Sequence, residues 1–332
     1  MFILPKFIVK QEFSKKQNNN LFPKGICASS FQRAWNNGLT GEGIVVAVID
    51  TGIDSTHPDL KDKVVKSFNI SGEPLKESHG THVAGTIAAN GWLLGGAKDA
   101  KLLDFQTLGS KGATIQQIVQ SIDLAISNGA NVINMSLGGI GISSLDLYKL
   151  TKAIEKAWNA GILCVAASGN SGISTCTDDP LEYPASIEKT ESVGACRVSS
   201  NLSEITLAYF SNENIMVDLA ACGVEVVSTI IGGGYAVYDG TSMATPHVSA
   251  MCAVLYEYVK KNNSHLKGAN LCIEVLNQLN KNLLPIANCI TNGKNISFGS
   301  GFIKYSPSLP PYKPENSREF KSGNVFLGFT TN

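Results

Sequence analysis

Short apolar runs alternate with amphipathic segments along most of the chain. The run at residues 44–49, Ile-Val-Val-Ala-Val-Ile, is rich in β-branched side chains and is followed by Asp50-Thr-Gly52. A run of this length with a turn signal behind it is typical of a buried parallel strand. Similar runs predict further strands at residues 100–105, 132–135, 162–167, 192–195 and 217–221.

Two longer segments have a different period. Apolar side chains recur near every 3.6 residues over 115–127 and over 145–160, which predicts helices. Strands that alternate with helices in this way favour an α/β fold whose mainly parallel sheet is covered on both faces.

The same pattern divides the chain into three segments. Residues 1–26 have a polar middle and are expected to lie outside the core, with residues 1–21 as an N-terminal extension. One domain is expected over residues 22–304, where composition shows no break. Residues 305–332 begin with a proline-rich stretch and are expected to form a surface tail.

Composition and charge exclude several classes of protein. The 332 residues include 27 Lys and Arg against 27 Asp and Glu, so no basic excess favours a nucleic-acid partner. No apolar run approaches the roughly 20 residues that span a bilayer, so we expect no membrane partner. Pro5 and Lys6 interrupt the first apolar stretch, which argues against a signal peptide and favours the cytoplasm. In that compartment the eight cysteines are expected to be reduced, and their spacing fits no zinc motif.

Three polar blocks carry the candidate chemistry. Asp50 follows the first strand, where open α/β sheets place their sites. His79 begins His-Gly-Thr-His-Val-Ala-Gly-Thr, and Ser242 lies in Gly-Thr-Ser-Met-Ala-Thr-Pro-His. Alone, the Asp and the Ser could cap helices, with Pro246 in a first helical turn, and the His could be structural. Together they supply the acid, base and hydroxyl that nucleophilic catalysis by serine needs.

These blocks resemble the three signature blocks of the subtilisin-like serine proteases, the subtilase family. Residues 50–59 read Asp-Thr-Gly-Ile-Asp-Ser-Thr-His-Pro-Asp, and residues 134–139 and 166–170 are similar to the family's substrate strand and oxyanion loop. The resemblance implies the subtilisin-like fold, a three-layer α/β/α sandwich around a mainly parallel central sheet. It also implies a serine endopeptidase that acts on a peptide or protein through an acyl-enzyme, with no required cofactor.

The resemblance assigns roles to individual residues. Ser242 would be the nucleophile, His79 its general base, and Asp50 the group that orients the imidazole. Asn170 and the backbone N–H of Ser242 would stabilise the oxyanion. Substrate would pair as an added strand with two backbone edges, formed by Gly112, Ala113 and Thr114 and by Ser136, Leu137 and Gly138. Three other histidines are expected to be structural: His57, His82 and His247.

The N-terminal extension is similar to that of the bacterial intracellular subtilisins. In those enzymes a Leu-Ile-Pro-Tyr-type motif lies across the active site. Here Ile3-Leu-Pro-Lys-Phe7 departs from the motif, because Lys6 separates Pro5 from Phe7. The similarity implies a zymogen that its own extension inhibits. The other interpretation is a disordered tail with a chance proline.

Two other functions stay open. A dedicated leader peptidase of a peptide-maturation pathway would use the same catalytic residues. A pseudoprotease would only bind its partners, and the absence of Ser242 labelling by a fluorophosphonate would identify it.

The family's calcium site is changed in this sequence. Asp59 matches one calcium ligand, so calcium is possible. However, only Asn-Gly-Trp-Leu-Leu separates Ala89 from Gly95, where relatives that hold calcium have a longer loop. A hard cation needs six or more oxygen ligands, so we expect this site to be lost.

The family's specificity pocket also differs here. Glu182 precedes Tyr183-Pro184, where relatives commonly carry a small residue at the base of the S1 pocket, which receives the residue before the scissile bond (P1). A buried carboxylate there would favour Lys or Arg at P1, and Asp178 and Asp179 would add an acidic rim. The other interpretation is that Glu182 points to solvent or pairs with Lys189.

Overall fold

The computed structural model describes residues 1–4, 7–15, 20–172, 179–286, 290–291 and 294–306. These residues form the following strands: β1 (Ile8–Phe13), β2 (Val45–Asp50), β3 (Val64–Asn69), β4 (Lys101–Gln106), β5 (Val132–Met135), β6 (Leu163–Ala167), β7 (Thr190–Val198), β8 (Ile205–Leu207), β9 (Leu219–Cys222), β10 (Val226–Ile230), β11 (Gly234–Asp239), β12 (Leu283–Leu284), β13 (Ile290–Thr291), β14 (Lys294–Asn295) and β15 (Phe302–Ile303). They also form these helices: α1 (Lys24–Ala28), α2 (Phe31–Asn36), α3 (His79–Ala88), α4 (Ile115–Ser127), α5 (Ser144–Asn159), α6 (Thr241–Asn262) and α7 (Gly268–Lys281).

The central sheet has ten strands and is mainly parallel. Its order is β12-β15-β9-β7-β6-β5-β2-β4-β3, with β8 beside β7. All neighbours along this order are parallel except β12 and β15, and β8 runs antiparallel to β7. The predicted α/β fold with a mainly parallel sheet is confirmed.

Helices cover the sheet on both faces. Val46 and Val48 of β2 belong to one apolar cluster, which also contains the buried faces of α3, α6 and α7. Ala47 and Ile49 belong to the other cluster, together with α4 and α5. Successive residues of a strand point to opposite faces, so a strand buried on both sides reads as a continuous apolar run. This arrangement is the predicted three-layer α/β/α sandwich.

A second, antiparallel sheet attaches the N-terminal segment to the domain. Its strand order is β1-β11-β10. Phe2, Leu21 and Ile26 are buried in the apolar clusters, so the prediction that residues 1–26 lie outside the core is wrong for these three. Each is a single apolar side chain inserted into the domain, and such insertions have no period to detect in the sequence.

The end of the domain lies slightly later than expected. Tyr305 is buried, and its N–H donates to the carbonyl of Ser29 at 2.9 Å. Residues 307–332, which include the proline-rich stretch, lie outside the described residues.

The helices α4 and α6 both begin next to residues of the candidate site. Thr114 and Gln117 form a capping box, so α4 begins at Ile115 as predicted. The helix α6 begins at Thr241 after Gly240, which places Pro246 beyond the first turn and does not fit the alternative in which Ser242 only caps a helix. Ser242 therefore lies within the first turn of α6 and does not cap it.

Six cysteines of the described part of the chain carry free thiols, and Cys27 is the least buried of them. Cys176 and Cys289 lie outside the described residues. Within the described ranges, no helix has both the length and the apolar character needed to cross a bilayer.

Candidate active site

The three residues of the predicted triad come from the ends of three elements. Asp50 is the last residue of β2, His79 is the first of α3, and Ser242 is the second of α6. The carboxyl ends of parallel strands and the helices that begin there meet at one edge of the sheet. Helix α3 approaches β2 closely because residue 80 is glycine: a Cβ there would lie 2.5 Å from the carbonyl oxygen of Gly52.

Asp50 and His79 form a buried pair. Asp50 Oδ1 lies 2.8 Å from His79 Nδ1 and also accepts the N–H of Thr51 at 2.7 Å. Because Nδ1 donates to the carboxylate, Nε2 is the accepting nitrogen of the neutral imidazole. Nε2 has no hydrogen-bond partner among the described residues. A histidine held in this tautomer can take a proton from a hydroxyl.

Ser242 is held by a chain of buried hydrogen bonds. Its hydroxyl donates to the carbonyl of Ser136 at 3.1 Å, and the Ser136 hydroxyl donates to the carbonyl of Ser242 at 2.9 Å. The Asn134 amide donates to the Ser136 hydroxyl at 3.0 Å and accepts from the Ser249 hydroxyl at 2.8 Å. All four side chains are fully buried. This network fixes the backbone around Ser242, whose hydroxyl points to Ser136.

Asn170 is anchored beside the start of α6. Its amide oxygen accepts both the N–H and the hydroxyl of Thr241, at 2.9 and 2.7 Å. Its amide nitrogen lies 3.4 Å from the position that a Cβ of Gly240 would take. Asn170 therefore lies beside the first turn of α6, the turn that contains Ser242. The sequence analysis missed Thr241, which orients Asn170.

The two predicted substrate edges hold the N-terminal segment. Phe2 exchanges both backbone hydrogen bonds with Ala113, at 2.7 and 2.8 Å, and Ile3 does so with Gly138, at 3.0 and 3.1 Å. The Phe2 side chain is fully buried against the apolar residues of this side of the sheet. Gly112 has a φ of +82°, and a Cβ there would lie 2.1 Å from the carbonyl oxygen of Phe2. Glycine is therefore required for a strand to approach this edge.

The remaining edge residues have different roles. The Thr114 side chain caps α4, and Leu137 belongs to the core. Ser136 contributes its carbonyl to Ser242. Of the six predicted edge residues, Ala113 and Gly138 bind the extended segment directly through their backbones.

Phe7 covers the catalytic histidine candidate. Its ring centroid lies 4.8 Å from that of His79 and 5.2 Å from that of Tyr238. Phe7 Cβ lies 3.4 Å from where a Cβ of Gly240 would be. With this segment in place His79 is 1% exposed and Ser242 is 0% exposed. Pro5 and Lys6, the centre of the predicted inhibitory motif, lie outside the described residues.

Glu182 is buried beside the substrate edge. It is 8% exposed, and its carboxylate oxygens lie 2.1 and 2.3 Å from the positions that Cβ atoms of Gly138 and Gly169 would take. Burial raises the pKa of Glu182 to about 7, and a hydrogen bond from Asn212 opposes this rise. Lys189 instead contacts Glu188 and the Trp158 ring. The alternatives in which Glu182 points to solvent or pairs with Lys189 are therefore wrong.

The predicted acidic rim does not form at Asp179. This residue is buried, and its carboxylate accepts the N–H of Glu213 at 2.8 Å. A carboxylate turned inward to a backbone amide does not line the rim of a pocket. Asp178 lies outside the described residues.

Backbone and side-chain donors surround Asp59, the possible calcium ligand. Its carboxylate accepts the N–H groups of Trp92 and Leu93, each at 2.8 Å, and the Tyr235 hydroxyl at 2.8 Å. No cluster of three or more His, Cys, Asp or Glu that could hold a metal occurs among the described residues. A carboxylate that faces three donors does not fit a calcium site, which needs several converging oxygen ligands.

The other histidines bind backbone groups in the interior. His82 contacts the carbonyls of Val226 and Ala236, and burial lowers its pKa to about 3. Burial also lowers the pKa of His247 to about 4. His57 Nδ1 accepts the N–H of Asp59 at the start of a 3₁₀ turn. None of these rings lies in the Asp50–His79 pair, in line with the structural role expected of them.

Comparison with known proteins agrees with this geometry. The subtilase family model matches residues 41–282. The chain is 38% identical over 299 residues to an "Intracellular serine protease" of Paenibacillus polymyxa, covering 86% of each chain. It is 36% identical to a "Major intracellular serine protease" of Bacillus subtilis (strain 168), covering 80% of this chain and 84% of that one. Subtilisin E of the same organism is 42% identical over 240 residues, which are 70% of this chain and 60% of that protein.

Proposed function

Since this chain belongs to the subtilase family and is a subtilisin-like serine endopeptidase, we propose that Asp50, His79 and Ser242 form its catalytic triad. The observation that carries this proposal is the buried bond between Asp50 and His79, which leaves Nε2 of the imidazole as an acceptor. Ser242 lies at the start of α6, beside the amide of Asn170.

Each step of peptide hydrolysis has a group to perform it. The Ser242 hydroxyl turns from Ser136 to His79 Nε2 and loses its proton as Oγ attacks the scissile carbonyl. Asp50 stabilises the imidazolium, and Asn170 with the Ser242 N–H binds the oxyanion. The C–N bond then breaks as His79 protonates the leaving amine. A water molecule, deprotonated by His79, then attacks the acyl carbonyl; the bond from this carbon to Ser242 Oγ breaks, His79 returns its proton to Oγ, and the acid is released.

A fluorophosphonate tests the proposed nucleophile. We expect it to label the wild type at Ser242, and we expect Ser242→Ala to lose both labelling and peptidase activity. The substitution should cost only about 0.5–1.5 kcal/mol of stability, because one buried hydrogen bond is lost. Ser203→Ala, at an exposed serine, is the control, and near-normal activity in Ser242→Ala would reveal another nucleophile.

We further propose that residues 1–13 inhibit the enzyme in cis. They bind both substrate edges through Phe2 and Ile3, fill an apolar pocket with Phe2 and cover His79 with Phe7. Strand β1 continues this contact by pairing with β11. A substrate that adds a strand to the same edges has to displace this segment.

Truncation and point variants test the inhibition. A chain that begins at Leu21 should be labelled and should cleave peptides faster than the full chain. Phe2→Ser should also speed labelling, because it empties the apolar pocket, whereas Ile3→Ser should not, because that side chain is 52% exposed. Equal activity of the truncated and full chains would refute the proposal.

We also propose that the enzyme acts inside the cell on a range of peptides, as the names of two relatives suggest for those proteins. Cleavage of a peptide library by the purified protein tests the range. Many cleaved sequences would support a general peptidase, and one narrow motif would support the dedicated leader peptidase instead.

A further inference from the structure

The extended N-terminal segment shows how a substrate would align with the nucleophile. Ile3 pairs with Gly138 in an antiparallel bridge, and Phe7 reaches His79, so the strand runs from Gly138 towards the catalytic pair. In an antiparallel pairing, the position two residues beyond Ile3 lies opposite Ser136. The Ser136 carbonyl receives the Ser242 hydroxyl. A substrate residue opposite Ser136 therefore has its carbonyl next to the nucleophile.

The Glu182 carboxylate packs against two glycines beside this position. Gly138 belongs to the substrate edge, and Gly169 precedes the oxyanion residue Asn170. A Cβ on either glycine would lie within 2.3 Å of a carboxylate oxygen of Glu182. The carboxylate thus occupies the space that side chains at these two positions would fill, directly against the backbone of the substrate edge.

The backbone holds Glu182 in this place. Tyr183, the next residue, exchanges both backbone hydrogen bonds with Gly139, each at 3.0 Å. The segment that carries the carboxylate is therefore bridged to the substrate edge itself.

The carboxylate has no cation to neutralise it. Asn212 provides one weak contact at 3.5 Å, and Glu182 forms no ion pair with any described residue. A charge that is buried without a partner is costly, and a cation that enters beside it removes that cost. Lys and Arg side chains are long enough to bring a cation from the substrate strand to this carboxylate on an apolar stem.

We propose that Glu182 makes this enzyme prefer Lys or Arg at the residue before the scissile bond. The inference rests on the proposed function, because it assumes that Ser242 is the nucleophile. A neutral side chain of the same length would leave the carboxylate unpaired, and an acidic side chain would repel it. Specificity then follows from one buried charge and two glycines.

The test compares peptides that differ at a single position. Peptides with Lys, norleucine, Arg, citrulline or Glu before the scissile bond are cleaved by the full chain, and kcat/KM ratios are taken within one preparation. Any fraction of molecules covered by the N-terminal segment cancels in these ratios. We expect Lys over norleucine and Arg over citrulline by about ten-fold or more, with Glu cleaved most slowly.

Two variants assign the effect to Glu182. In Glu182→Gln both ratios should fall close to one, whereas Glu188→Gln, which neutralises a neighbouring carboxylate that is 89% exposed, should keep them. Wild-type ratios at or below one would overturn the proposal, as would full ratios in Glu182→Gln. If Glu182→Gln does not fold, the comparisons of Lys with norleucine and of Arg with citrulline in the wild type still test the proposal.

Fluorophosphonate labelling distinguishes a failure of this proposal from a failure of the proposed function on which it rests. Labelling at Ser242 together with ratios near one would reject the role of Glu182 and leave the proposed function intact. If neither labelling nor cleavage occurs, both proposals fail.

Discussion

Asp104 is a buried carboxyl that the catalytic scheme does not use. It lies in β4, two residues before the position that pairs with Asp50 of β2, and is 6% exposed. Burial raises the pKa of Asp104 to about 7, and the charge of nearby Asp50 adds to the rise. The folded protein therefore keeps a proton that the unfolded chain releases near pH 4.

This proton makes stability depend on pH in a defined direction. As the pH rises from about 4 to 7, the unfolded state loses the Asp104 proton first, so the free energy of unfolding falls by up to about 1.4 kcal/mol per pH unit. Above about pH 7 this contribution stops changing. In the Ser242→Ala background, which prevents autolysis, Asp104→Asn should reduce the loss of stability between pH 5 and pH 8 in urea unfolding. Asp123→Asn, at a surface aspartate that binds Lys156, is the control, and equal slopes in all three proteins would contradict the prediction.

At the scale of the elements, the strand β1 binds the domain through charge as well as through backbone hydrogen bonds. Five of its six residues are exposed, so apolar burial contributes little. Lys10 lies 2.8 Å from the buried carboxylate of Asp239 and 3.8 Å from Glu225, which also binds Lys24 and Arg197. The bonds to β11 and this ion pair hold β1 in place.

Weakening the ion pair should loosen the N-terminal segment. Lys10→Ala leaves the Asp239 carboxylate with less compensation, so we expect fluorophosphonate labelling of Ser242 to become about two- to ten-fold faster, equivalent to about 0.4–1.4 kcal/mol. Lys15→Ala removes the same charge from the same segment, but Lys15 has no ion pair with a described residue. Equal rates in both variants would show that the Lys10 pair does not hold the segment.

The elements differ in how far the sequence could predict them. The strand β2 was predictable because both of its faces are buried, and α4 because its apolar period and its Thr114–Gln117 cap agree. The strand β1 was not, because it is polar, exposed and paired with a strand more than 200 residues away. Local pattern carries no information on such a partner.

The features of the candidate site also differ in how far the sequence could predict them. The triad and Asn170 could be predicted from the sequence. The residue types of the triad are those that nucleophilic catalysis by serine needs, and the blocks that contain these residues resemble those of the subtilase family. The bond from Ser242 to Ser136 depends on a rotamer, and rotamers are set by packing rather than by sequence. The burial of Glu182 runs against the usual exposure of glutamate, so only the family's pocket position suggested it.

On the scale of the whole molecule, we expect thermal stability that does not depend on calcium at Asp59. The Asp59 carboxylate accepts hydrogen bonds from Trp92 and Leu93 of the loop at residues 90–94 and from Tyr235 of β11. These bonds join the loop to β11 directly. In the Ser242→Ala background, EDTA should leave the thermal midpoint unchanged. Asp59→Ala should lower stability by about 1–3 kcal/mol for each buried donor left unpaired, and added calcium should not restore it. Asp62→Asn, at an exposed neighbour, is the control, and a midpoint that falls in EDTA would contradict the prediction.

The covalent link between the N-terminal segment and the domain determines the kinetic order of the reaction that covers the site again. Leu21 is bonded to the backbone of residues 92 and 94, so while residues 14–20 are intact the segment rebinds its own groove at an effective concentration on the order of millimolar. Its occupancy is then the same in a dilute and in a concentrated solution. One cut in residues 14–20 turns rebinding into a bimolecular event, and occupancy begins to depend on the total protein present. Cut protein should therefore gain activity per molecule on dilution, whereas uncut protein should not.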